Sequence, residues 1–129
     1  LGRIYGTAHS TVLTGAAATI DALKAGAPRA GVVHIATHGE LDDVTPMFSH
    51  LALAGDDGRL EAHELVEIPF AADLVVLSAC ETARGRLGGG EGIIGLSWSL
   101  FAAGASSVVV SQWAVDSAST TTLMIGFHE

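Results

Sequence analysis

Three runs of the chain are apolar on both faces, and each is closed by small or polar residues. They are Val32-Val33-His34-Ile35-Ala36-Thr37, Leu74-Val75-Val76-Leu77-Ser78-Ala79 and Ser107-Val108-Val109-Val110-Ser111. Such runs mark central strands of a parallel sheet. A weaker run, Leu51-Ala52-Leu53-Ala54, predicts a short strand, and Gly55-Asp56-Asp57-Gly58 predicts the turn after it. Helical patterns lie between the strands. Thr14 is positioned to cap a helix over 16–24 that stops at Gly26 and turns Ile20 and Leu23 to the sheet. A short helix is expected within 60–66, a longer one over 91–103 and a last one over 120–127. In the second of these, Ile93, Leu96 and Leu100 share one side while Ile94, Trp98 and Phe101 share the next, a broad apolar surface. Residues 40–49 read as a polar loop broken by Pro46. Alternating strands and helices predict an α/β sandwich, its parallel strands joined by right-handed crossovers.

Composition narrows the classes of function. The 129 residues make one domain, 1–129, or part of one, and the abrupt ends suggest a fragment of a longer protein. Fourteen acids against six bases give a net charge of −8, which argues against nucleic acid and anionic membrane surfaces and suits a cationic partner. Residues 92–115 carry no charge and are long enough for a membrane span, but their serines, Gln112 and Gly104 fit a helix, a glycine stop and a buried strand better. A single cysteine and the lack of a secretory leader point to a reducing, cytoplasmic setting.

The candidate chemistry sits where parallel sheets present it, at the carboxyl ends of strands. His38 follows the first strong strand and Cys80, the sole thiol, follows the second. An imidazole beside a thiol is the minimum equipment of a cysteine peptidase, with His38 as base and Cys80 as nucleophile. The other reading of Cys80 is a small buried core residue. The backbone N–H groups of Gly39 and Cys80 can serve as an oxyanion hole, and Glu81-Thr82 can open a turn that frees amides. His34 shares a strand face with His38, so a metal pair is conceivable, but no third or fourth ligand is in sight and no metal is expected. A hydrogen-bonded core histidine is the other role for His34. Asp116 has two readings, an acid that binds a basic substrate side chain and an N-cap for the following helix. Glycines 85, 88, 89, 90 and 92 predict a flap near Cys80 rather than a phosphate loop, since no Lys-Ser or Lys-Thr follows them. Arg84 and Arg86 on it read as solvated charges. Gly95-Leu96-Ser97-Trp98-Ser99 lacks the second glycine of a serine-hydrolase elbow.

The same residues carry a family resemblance. His34-Ile-Ala-Thr-His38-Gly39, Asp73-Leu-Val-Val-Leu-Ser-Ala-Cys80-Glu81-Thr82, Gly90-Glu91-Gly92 and Gln112-Trp113-Ala-Val115-Asp116 resemble, in order, the motifs of a CHAT domain. That is a caspase-like domain, related to caspases and separases, often joined to tetratricopeptide repeats in bacteria. The resemblance implies a caspase-like three-layer αβα sandwich with a mostly parallel central sheet. It also implies a His–Cys dyad of His38 and Cys80, proteolysis without a cofactor, and a protein or peptide substrate. A tetratricopeptide-repeat region or an activating protein is the partner it suggests. Two positions depart from the pattern. Ser117 stands where a second acid is common, and His50 where glycine is common. The expected function is therefore a cysteine endopeptidase acting through a thioester. The alternative is a non-catalytic CHAT-type module for regulation or protein interaction.

Overall fold

The computed structural model describes residues 2–81, 91–111 and 116–129. Its strands are β1 (Val32–Glu40), β2 (His50–Ala52), β3 (Arg59–Glu61), β4 (Leu74–Glu81) and β5 (Val108–Val110). They form one sheet in the order β3-β2-β1-β4-β5. β1, β4 and β5 are parallel, as their two-sided apolar runs predict, while β2 and β3 extend the β1 edge as an antiparallel pair. The 55–58 turn forms as expected, with the Leu53 N–H donating to the Gly58 carbonyl at 2.6 Å. β3 has no signature in the sequence beyond that turn, because only its middle residue, Leu60, is buried.

Both central strands run further than their apolar stretches. β1 continues through His38, Gly39 and Glu40, and β4 through Cys80 and Glu81. The cause is backbone pairing. β1 and β4 stay in register from Val32↔Leu74 to Gly39↔Glu81, and β2 joins the far side of β1 at His38, Gly39 and Glu40. Hydrogen-bond partners, not side-chain hydropathy, decide where these strands stop.

The helices are α1 (Gly2–Tyr5), α2 (Ile20–Gly26), α3 (Ala62–Leu65), α4 (Glu91–Ala102) and α5 (Ser117–His128). The cap of α2 is Thr19, whose hydroxyl accepts from the Ala22 N–H at 3.2 Å, and not Thr14, which precedes only a 3-10 turn. Gly26 is the last residue of α2 with helical backbone, not a left-handed stop. Because side chains alternate along a strand, the sheet has two different faces. On one, Ile35, Val75 and Leu77 meet Leu65, Leu96 and Leu100 of α3 and α4 in the main core, joined by the half-buried Ile20 and Leu23 of α2. On the other, which also carries Val76, His34 bonds Ser78 and meets α5 through His128, which in turn bonds Tyr5 of α1. Helices on both faces of the sheet give the αβα sandwich.

α4 uses only part of its broad apolar surface. Leu96 and Leu100 are buried, whereas Ile94 is 65% exposed and Trp98 55%. One flank lies on the sheet and cannot cover the other. Its end follows the glycine-stop reading: Gly104 has φ +111°, its N–H donates to Phe101 O, and the Ala105 N–H donates to Leu100 O, a Schellman closure. Among the described residues no helix is long and apolar enough to cross a membrane.

Gly104 also abuts Phe70, whose carbonyl oxygen would lie 2.5 Å from an added Cβ. Gly104→Ala is expected to lose about 1–3 kcal/mol in urea unfolding, the usual cost of a strained backbone site. Gly26→Ala, in open space and helical backbone, should be neutral or gain up to about 1 kcal/mol.

Candidate active site

Register settles where the proposed dyad residues stand along the backbone. In the parallel β1–β4 pair, His38 is the register partner of Cys80. Two residues 42 positions apart in sequence are thus neighbours across two central strands. Neither lies beyond its strand, as the apolar runs suggest; both sit near the carboxyl ends, inside the ladder. The His38 side chain is exposed to solvent. Gly39 is buried and paired on both sides, with Leu51 of β2 and Glu81 of β4. Glu81 does not open a turn, because it continues β4. Thr82, Arg84, Arg86 and the predicted flap glycines 85, 88, 89 and 90 lie outside the described residues, as does the 112–115 segment.

His34 is the hydrogen-bonded histidine that one reading predicts. Its Nε2 lies 3.1 Å from Ser78 Oγ and its Nδ1 lies 3.0 Å from Nε2 of His128. The second nitrogen of His128 is 2.8 Å from the Tyr5 hydroxyl. Burial first, then the charge of His128, holds the His34 imidazole below its ordinary value; burial does the same for His128. With both ring nitrogens engaged, His34 does not pair with His38 around a metal. No group of three metal-ligating side chains occurs among the described residues.

Asp116 lies six residues beyond Val110, the last residue of β5. It is the N-cap of α5. Its carboxylate accepts from the Ser119 N–H at 2.9 Å, and that bond, with the Ser119 hydroxyl second, keeps the exposed carboxyl below its usual range. His50 stands opposite Glu40 in the β1–β2 ladder, with Nε2 3.5 Å from its carboxylate.

Sequence reading does not find the groove beside this end of the sheet. A 3-10 turn, Pro46–Phe48, follows β1 and is held by Asp42, whose carboxylate accepts from the Val44 and Thr45 N–H groups at 2.9 and 2.7 Å. α4 packs against it through Gly95, where a Cβ would lie 2.5 Å from the Pro46 carbonyl oxygen. Pro46, Met47, Ile94, Gly95 and Trp98 line a groove of about 320 Å³. A glycine inside a helical pattern was its only signal. Tyr5 and His128 were missed as well, since nothing local ties them to a strand far away in sequence.

Comparison with curated proteins gives no match. The family model for the CHAT domain matches residues 1–129, the whole of the chain. With that match, and with its motif histidine and cysteine paired across the central strands of an αβα sandwich, the chain belongs to the CHAT domain family, which is of the caspase-like peptidase family.

Proposed function

We propose that this chain is a cysteine endopeptidase that hydrolyses protein substrates through His38 and Cys80. The observation that carries the reading is the β1–β4 register, in which His38 and Cys80 are partners. Residues paired across neighbouring strands stand closer than about 6 Å at Cα, a spacing that an imidazole and a thiol can bridge. His38 takes the Cys80 proton, and the thiolate sulfur adds to the scissile carbonyl carbon. The amides of Gly39 and Cys80 hold the oxyanion. Collapse breaks the C–N bond, and His38 returns the proton to the leaving amine. Water, deprotonated by His38, then attacks the thioester, releases the new carboxylate and restores the thiol. No cofactor takes part in these steps.

In this reading Asp116 binds a basic side chain of the substrate while it caps α5. The family's frequent second acid is Ser117 here, so Asp116 bears that task without a neighbouring carboxylate.

A second reading, a non-catalytic interaction module, is favoured by one observation: Ile94, Trp98 and Phe101 leave an exposed apolar flank on α4. In that case Cys80→Ala would keep full biological function.

Three variants test the peptidase reading. Against a peptide library and a thiol-reactive peptidyl probe, Cys80→Ala should lose all cleavage and labelling. His38→Ala should lower kcat/KM by about 10²–10⁴, the range for a general acid–base group. A parent that neither cleaves nor labels at Cys80, with its activating partner present, overturns the reading. Asp116→Asn keeps a good N-cap but removes the charge. It should preserve α5 helicity by circular dichroism while KM rises for peptides with Arg or Lys at the cleavage site. An unchanged KM would leave Asp116 as a cap alone.

A further inference from the structure

α5 is attached to the rest of the fold in an unusual way. Leu123, Ile125 and Phe127 are exposed, and His128 is the one buried residue among its described side chains. The apolar contact that normally holds a helix on a sheet is therefore small here. In its place stands a polar chain that crosses four elements: Tyr5 of α1, His128 of α5, His34 of β1 and Ser78 of β4. Its rings are close, with the His34 and His128 centroids 5.2 Å apart and Tyr5 edge-on to His128 at 5.7 Å.

The central link is a nitrogen-to-nitrogen bond, and its chemistry is exacting. One ring must donate and the other accept, so at least one of the two histidines must be neutral. A first proton is tolerated, because an imidazolium can donate to a neutral partner. A second leaves two N–H groups and two positive charges face to face.

We infer that the Tyr5–His128–His34–Ser78 chain is a proton-released clasp that holds α5 on the sheet at neutral pH and frees it in acid. This goes beyond the peptidase reading and does not depend on it. The groups facing the clasp are few. Among the described side chains, Tyr5 comes from α1, the exposed His38 lies four residues further along the same face of β1, and β4 and β5 contribute Ser78 and the valines Val76 and Val109; Cys80 is the next position of β4 on that face. No carboxylate bond to either ring is seen among the described side chains, so no described group offsets a second positive charge. Both histidines are held below the ordinary value of 6.5. The released state therefore binds protons first. The clasp is at full strength above about pH 6.5 and weakens as the pH falls below it. Since His34 and His38 share a face of β1, freeing α5 extends the open surface from the already exposed His38 back to His34.

Hydrogen exchange with intrinsic rates corrected, followed from about pH 7.5 to 5, tests this. Protection of α5 amides should fall below pH 6.5, by up to about tenfold per pH unit for each proton taken up, while β1 and β4 amides stay protected. His128→Gln, which keeps a donor and an acceptor without titrating, should markedly flatten the pH response of α5 protection, leaving only the part due to the burial of His34. A second measurement needs no variant: the ¹⁵N–¹⁵N coupling across the His34–His128 bond should be present at pH 7.5 and vanish together with α5 protection. Level α5 protection in the parent, a parent-like pH response in His128→Gln, or no coupling at pH 7.5 would each overturn the clasp.

Discussion

Everything at the candidate site rests on the parallel ladder between β1 and β4. Eight successive register pairs join the two strands, from Val32↔Leu74 to Gly39↔Glu81. Side chains in a strand alternate, so a slip of one residue would turn every group on β1 to the opposite face. The apolar positions forbid that slip. Ile35, Val75 and Leu77 must all reach the core shared with Leu96 and Leu100, and in doing so they lock His38 beside Cys80. The hydrophobic effect that stabilises the sheet thus also sets the spacing of the polar residues at its end. Precision at the site is inherited from the core.

The two faces of the sheet divide the work. The face toward α3 and α4 is apolar and carries the main core. The face toward α5 is a mixture of His34, Ser78 and Val76, where hydrogen bonds take over from packing. A part-buried polar chain of this kind adds modestly to net stability, and it specifies one arrangement, because any other leaves its members unpaired. The same division explains the exposed α4 flank: with one side of the helix on the sheet and Gly95 on Pro46, Ile94 and Trp98 have no described element over them.

Much of this was legible in sequence because strong periodicity and punctuation carry it. The three parallel strands stand out as apolar runs, Gly104 as a stop, and Asp116 as one of two readings that include the cap it makes. The motif residues around His38, Cys80 and Asp116 carry the family resemblance by themselves. What sequence hid is non-local. β3 exists because β2 offers it a partner, and β1 and β4 outrun their apolar stretches for the same reason. Thr14 and Thr19 offer similar capping chemistry, and only tertiary contact, with Thr19 bridged to Ala54, selects the second. The partnership of His34 with His128 spans 94 residues, and no local pattern announces such a pair.

The sheet order has one more consequence. β5 pairs with β4 only as far as Leu77↔Val110, whereas β2 pairs with β1 at His38, Gly39 and Glu40. The backbone of His38 is thus braced by a strand on each side, while among the described residues that of Cys80 is braced by β1 alone. Of the two strands that carry His38 and Cys80, β1 is paired along both of its edges at His38. Any displacement of His38 along or out of the sheet therefore has to carry two neighbouring strands with it.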